Sequence, residues 1–296
     1  MKLRQVGEGR LLERLLPTLT IHQGVIAAAG DDVAVVEPAR GRDLLLLKTD
    51  CVVEDVHFDS TAAPDSIGWK AMMRPLSDFA AVSGVPQFAL TTLIVSKETR
   101  TGWVEKVYRG LNRAAARFQV SVVGGETSST RGPVVISVSV AGSVERRRWV
   151  SRSGGRPGDR LFVTGRLGGS RKGKHLRFVP RIEESRWLTS RFPIHAMIDL
   201  SDGLGADLPR LARASHAGFE VEKSHLPCSR GASLNDVISD GEDYELLFAI
   251  SPRQSTGLQR AWERKFPKVP LTDIGRLVPQ SPIRNRQLKG GYVHFQ

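Results

Sequence analysis

The chain has 296 residues, 40% of them hydrophobic and 25% charged, enough for two ordinary domains with a sizeable core. Its opening stretch, MKLRQVGEGRLLERLLP, carries charges through its apolar positions, and no window approaches the long uncharged run of a membrane span or signal peptide. The net charge of +12 suits an anionic partner, but the basic residues are dispersed and aromatics make up only 6%, so no stacking platform for nucleic acid emerges and no specific nucleic acid is expected.

In chain order, DLLLLKTD (43–50), FALTTLIVS (88–96), VSVVGGE (120–126) and PVVISVSVAGSV (133–144) read as strands. They are short, rich in β-branched residues and bounded by Gly, Asp or Pro. Between them, 65–84 and 102–118 have helical periodicity, with Pro75 predicting a kink or restart in the first. The Gly, Pro and Asp punctuation of VSRSGGRPGDRLFVTG suggests a domain boundary near 150–160, followed by a new strand. Beyond it, PIHAMIDLSDGLGADLPRLARAS reads as a strand running into a helix, GEDYELLFAIS as a strand and PRQSTGLQRAWERKF as a helix. LTDIGRLV and GYVHF read as closing strands. The mixed order predicts an α/β (α+β) protein of two domains, 1–148 and 149–296.

The segment LGGSRKGKH (167–175) follows a strand and spells Gly168, four residues, Gly173 and Lys174, as a P-loop would. His175 stands where the motif needs Ser or Thr, and a neutral imidazole is a poor ligand for a hard cation. The alternative is a basic loop after a strand. If the chain handles ATP, its metal is held elsewhere.

Acidic residues are more telling in so basic a chain. They cluster beside Gly, Ser or Thr: Asp31 and Asp32, Asp50 and Asp55, Asp78, Glu126, then Asp199, Asp202 and Asp207, then Asp240, Glu242 and Asp243. Any single cluster reads as turn or N-cap chemistry. Many, however, fall at strand ends, which in open α/β sheets converge on one crevice. The two cysteines, Cys51 and Cys228, are far apart, which argues against a cysteine-based zinc site and suggests a reducing, cytoplasmic setting. Oxygen-only ligands point to Mg²⁺, and Mg²⁺ among carboxylates implies a phosphorylated substrate such as ATP.

The segments GDDVAVV, KTDCVVEDVHF, KAMMRPLSDFAAVSGVP, VVGGETSSTRGPVVISVSVAG, SRSGGRPGDRLFVTG, GKHLRFVPRIEESRWL, HAMIDLSDGLGADLPRLARAS, GEDYELLFAI and GYVHF, in that order, resemble the thiamine-monophosphate kinase family over about residues 28 to 295. The resemblance implies the fold shared with aminoimidazole ribonucleotide synthetase and selenophosphate synthetase. That means an N-terminal α/β domain whose strands form a β-barrel in a homodimer, and a C-terminal α/β domain closing over the nucleotide. It further implies several Mg²⁺ ions held by Asp32, Thr49, Asp50, Asp78, Glu126, Asp199 and Asp202, with Asp31 assisting. Asp50 and Asp202 are the implied catalytic residues. ATP contacts are implied at Tyr108, Gly125, Glu126, Arg152 and Ser201, and thiamine-phosphate contacts at His57, Glu242 and Tyr292. In the family the stretch matching GGSRKGKHL joins two halves of the C-terminal domain and belongs to no Walker site. Four departures stand out: Glu126 for Asp, Pro75 for Asn, Lys48 for a small residue, and Asp240-Gly241 for Gly-Gly.

The implied reaction passes the γ-phosphoryl group of ATP to thiamine monophosphate. An acceptor monoester with a second pKa of about 6 is already largely ionised at neutral pH, so no general base is required. Two other readings stay open. One is an enzyme of the same fold with another acceptor, although no Cys precedes Asp31 as a selenophosphate synthetase would require. The other is a basic nucleic-acid binding protein, which leaves the acidic motifs unexplained.

Overall fold

The computed structural model describes residues 2–38, 40–280, 288 and 290–292. Two short helices open the chain, α1 (Leu3–Val6) and α2 (Glu8–Leu15). The first half continues with β1 (Val25–Ala27), β2 (Ala34–Val36), β3 (Asp43–Val53), α3 (Pro64–Ala81), β4 (Val85–Val95), α4 (Thr101–Arg117), β5 (Ser121–Ser129) and β6 (Val135–Glu145). The second half holds β7 (Arg160–Thr164), α5 (Ile182–Arg191), β8 (Ile194–Asp199), α6 (Leu204–Ala214), β9 (Ala217–Val221), α7 (Leu234–Ser239), β10 (Leu246–Ile250), α8 (Pro252–Lys265) and β11 (Leu271–Pro279).

The strands form two sheets. The first has the order β1-β2-β3-β6-β4-β5, antiparallel except for the β4–β5 pair. Alternation decides its faces: Leu44, Leu46 and Val52 of β3 and Ile136, Val138 and Val140 of β6 turn into the core, while Leu47 and Cys51 point the other way. Helix α3 crosses α4 so closely that a Cβ on Gly68 would lie 1.9 Å from the Val107 carbonyl oxygen, and one on Gly110 1.8 Å from that of Asp65. Only glycine lets the two backbones meet there.

The second sheet, β8-β10-β7-β11-β9, is antiparallel throughout. Its strand LLFAI is wholly apolar because both faces are covered. Leu246, Phe248 and Ile250 join a core with α3, α5 and α8, while Leu247 and Ala249 join a second core under α6. Through α3, which touches both α5 and β8, the first core runs continuously from one sheet to the other.

Three expectations change. Helix α3 runs through Pro75 as one element instead of restarting, with the proline buried in the core face. The segment GEDYE is a loop, and the strand begins only at Leu246, because Glu242 and Tyr244 hold positive φ of 67° and 51°. Gly291 and Tyr292 are not in a strand, and the remainder of GYVHF lies outside the described residues. Among the described residues no helix is long and apolar enough to cross a membrane.

Candidate active site

The acidic motifs meet where the two sheets adjoin. Asp199 ends β8, Ser77 and Asp78 sit in the last turns of α3, and Asp31 and Asp32 precede β2. Ligand oxygens of Asp32, Asp78 and Asp199 lie within 4.8 Å of one another, and all three residues are buried. Ser77 donates from Oγ to Asp199 Oδ2 at 2.6 Å, so α3 and β8 are tied at the cluster. From the segment after β6, Arg152 grips Asp32, with Nε 3.0 Å from Oδ2 and Nη2 on Oδ1, and reaches the Gly30 carbonyl at 3.2 Å.

Crowding buried carboxylates sets their chemistry. Burial and then repulsion from Asp32 push the Asp199 carboxyl up to about 7, against the Ser77 hydrogen bond and the nearby Lys48 and Arg152. Asp78 is raised in the same way: burial dominates, with repulsion from Asp50, Asp199 and Asp32, while Lys48 opposes. Lys48 is that partner because β3 alternates: Lys48 and Asp50 face α3, and Lys48 Nζ lies 2.8 Å from Asp78 Oδ1 and 4.0 Å from Asp50 Oδ2. Its ammonium is held above the usual lysine range by those aspartates despite burial, which acts in the opposite direction. The lysine that departs from the family pattern is therefore a cation built in beside the cluster.

A narrow cleft opens next to this cluster, lined by His57, Arg74, Arg171, Ser201, Asp202, Glu242 and Tyr292 among others. Its walls are knit by backbone: Glu242 N–H donates to the Ser201 carbonyl at 2.7 Å and Tyr292 N–H to that of Asp202 at 2.8 Å. Asp202 also receives Arg210, which bridges to Asp207 at 2.8 Å. Glu242 is anchored by Lys70 Nζ at 2.6 Å and His175 Nδ1 at 3.1 Å. Burial alone would raise the Glu242 carboxyl, but the His175 hydrogen bond and Lys70 hold it down to about 2. The same burial pulls the Lys70 ammonium down to about 8, with Glu242 resisting.

Of the residues singled out by sequence, the structure brings Asp32, Asp78 and Asp199 into one cluster, with Arg152 on Asp32 and Asp50 beside Lys48. It brings Ser201, Asp202, His57, Glu242 and Tyr292 to one cleft. The others lie apart within one chain. Thr49 points to the opposite face of β3 from Asp50, where its hydroxyl meets Ser139 Oγ at 3.0 Å. Gly125 shares a row with Asp50 through Val138 and Thr91, three strands away and therefore roughly 14 Å off, and Glu126 is exposed on that edge strand. Tyr108 is half-buried on α4, which crosses the first half of α3, away from Asp78. Lys70, Arg74 and His175 were missed. The helical spacing of Lys70, Arg74, Ser77 and Asp78 on α3 is the signal that could have found the first two.

The glycine-rich loop is not a phosphate cradle. Gly168 N–H donates to Asp243 Oδ2 and Gly169 N–H to Asp240 Oδ2, both at 2.9 Å, and Ser170 Oγ donates to Asp243 Oδ1 at 2.9 Å. Lys174 Nζ lies 3.4 Å from Asp243 and 3.6 Å from Glu245. The chain's own carboxylates already occupy the groups that would hold an anion.

The chain is similar to known proteins along most of its length. Residues 30–144 match the family model of the AIR synthase related protein N-terminal domain. The chain is 38% identical to the thiamine-monophosphate kinase of Rhodopirellula baltica, across 88% of this chain and 86% of that one. It is 31% identical to the thiamine-monophosphate kinase of Bacillus subtilis, across 98% and 100%. Among solved structures, AaThiL complexed with AMPPCP and TMP superposes with a TM-score of 0.84 at 32% identity, covering 99% of each chain.

Proposed function

The chain belongs to the thiamine-monophosphate kinase family, and we propose that the cleft between its acidic cluster and Glu242 is where ATP-dependent phosphorylation of thiamine monophosphate to thiamine diphosphate takes place. The observation that carries this reading is that three buried aspartates lie close to a cleft that gathers Ser201, Asp202, His57, Glu242 and Tyr292.

In the transfer, an oxygen of the acceptor phosphate attacks the γ phosphorus in line. One P–O bond forms as the bond to the ADP oxygen breaks, and no proton need be removed from an ionised monoester. The chain's task is to bring two anions together. Asp32, Asp78 and Asp199 fit a hard divalent cation of the Mg²⁺ type: the donor set is all oxygen, closely gathered, and the Asp78 and Asp199 carboxyls are raised by burial first and then by repulsion from neighbouring carboxylates. Asp50 and Asp202, which border the cluster and the cleft, complete the proposed set as catalytic ligands. Mg²⁺, when bound, would offset the phosphate charges and polarise the γ-phosphoryl group. Arg152 orients Asp32 and lends positive charge at the nucleotide end. Glu242, pinned as a carboxylate by Lys70 and His175, offers a fixed acceptor to the acceptor molecule's amino-bearing ring, with His57 and Tyr292 lining the same pocket. The assignments of Thr49, Glu126, Gly125 and Tyr108 rest on the family resemblance alone.

We further propose a homodimer closed through the first sheet. Its uncovered face forms a groove of about 490 Å³ around Leu47, Phe88, Leu90 and Val123, and Phe88, Leu90 and Val123 are each half or more exposed. A second copy of this face would bury them, completing the barrel implied by the resemblance. The domain division is set at 148/149, between β6 and β7, and two free cysteines suit a cytoplasmic enzyme.

The test is ADP release from ATP and Mg²⁺ with thiamine monophosphate, thiamine, or no acceptor. Release only with thiamine monophosphate, abolished by EDTA, is expected. Equal release with thiamine or without acceptor contradicts the reading.

A further inference from the structure

Among the described residues around the acidic cluster, Arg74 is a buried cation with no carboxylate at hydrogen-bond distance. Lys48, Lys70, Arg152, Lys174 and Arg210 each lie within 3.4 Å of a carboxylate oxygen. Arg74 Nη2 stands 4.0 Å from Asp50 Oδ1, beyond hydrogen-bond reach, and Nε and Nη1 are buried without a partner. Buried N–H donors left unpaired are costly, and a guanidinium cannot escape by losing its proton. Such a group persists in a folded chain where something else accepts its hydrogen bonds.

The surroundings say what that acceptor is. Arg74, on α3, lines the cleft together with Arg171, His57, Asp202, Glu242 and Tyr292, and its Nη2 is 4.0 Å from Asp50. Arg171 stacks its guanidinium 5.2 Å over the Tyr292 ring at the same cleft. A carboxylate-lined pocket repels a dianion unless fixed cations offset it, and a planar guanidinium suits tetrahedral phosphate oxygens. We propose that Arg74 is a phosphate-binding residue of the acceptor subsite, holding the monoester group of the acceptor by its unpaired N–H donors and selecting phosphorylated over unphosphorylated acceptors. The assignment of the acceptor rests on the proposed kinase function; the anion site itself rests on the orphaned guanidinium.

The experiment measures binding of thiamine monophosphate and of thiamine to wild type, Arg74→Met, Arg74→Gln and Arg74→Lys by calorimetry, together with KM for ATP and the melting temperature. Arg74→Met and Arg74→Gln are expected to weaken thiamine monophosphate at least tenfold while thiamine and the ATP KM change less than about twofold, with Arg74→Lys intermediate. Unchanged affinity for thiamine monophosphate in the Met and Gln variants overturns the proposal, as does equal weakening of thiamine, which marks a purely structural role. If wild type neither binds nor phosphorylates thiamine monophosphate, the kinase reading fails by itself, and pyrophosphate becomes the probe. A rise in melting temperature with pyrophosphate in wild type that is lost in Arg74→Met and Arg74→Gln then supports the anion site. The same rise in both variants, or none in wild type, overturns it.

Discussion

The glycine-rich loop at 165–175 and the acidic motifs around Asp32, Asp78 and Asp199 are opposite in charge, and the fold treats them oppositely. The groups of the loop that match a phosphate cradle are closed internally, with the N–H groups of Gly168 and Gly169 and the ammonium of Lys174 all spent on Asp240, Asp243 and Glu245, while its Arg171 lines the cleft. The acidic cluster is left short of positive charge: Lys48 and Arg152 meet part of it, yet Asp78 and Asp199 remain raised above their ordinary values. A short motif shows which groups are present, whereas ligand binding depends on which of them the fold leaves unanswered.

The sharpest way to break this contrast is to remove a carboxylate from the acidic side. Asp202→Asn keeps the size of the side chain and is expected to lower kcat at least about a hundredfold, read by ADP release with thiamine monophosphate. Near-normal turnover would remove Asp202 from the chemistry. Next in size is the effect on assembly. Phe88→Glu puts a charge on the uncovered face of the first sheet and is expected to convert a dimer to a monomer in light scattering, whereas a wild-type monomer would refute the closed barrel.

A smaller effect concerns pH. Unfolded, Asp199 titrates near its ordinary 3.8; folded, burial and Asp32 move it to about 7. Between those values the folded chain holds a proton that the unfolded chain has released, so this group's stabilisation is full below about 4 and is lost as pH rises through 7. A divalent cation should offset the charge exposed by that loss. Mg²⁺ is therefore expected to raise the melting temperature more at pH 8 than at pH 5.5, and an equal rise at both would separate Asp199 from the metal.

Much of the fold was legible. The alternation in DLLLLKTD and PVVISVSVAGSV and the 3.6-residue period of α4 identified elements that the structure contains. The short β1 and β2 escaped because three residues carry too little periodicity. At Pro75, where a kink or restart is expected, the helix does not restart, and the proline is packed into the core face. At the site, Asp32, Asp78 and Asp199 were named through motif order, since pattern alone would have left each as turn or cap chemistry. Lys70 and His175 escaped because their roles exist only across long range, with Lys70 buried under His57 and Glu242 and His175 brought in from a loop a hundred residues away.

The most direct test is a calorimetric titration of Mn²⁺, standing in for Mg²⁺, into wild type, Asp199→Asn and Lys174→Met in the presence of a non-hydrolysable ATP analogue. Asp199→Asn is expected to weaken metal binding at least tenfold, while Lys174→Met leaves metal and nucleotide affinity within about threefold, since its ammonium already pairs with Asp243 and Glu245. The reverse outcome, intact binding in Asp199→Asn and lost nucleotide in Lys174→Met, would place phosphate on the glycine-rich loop and contradict the account.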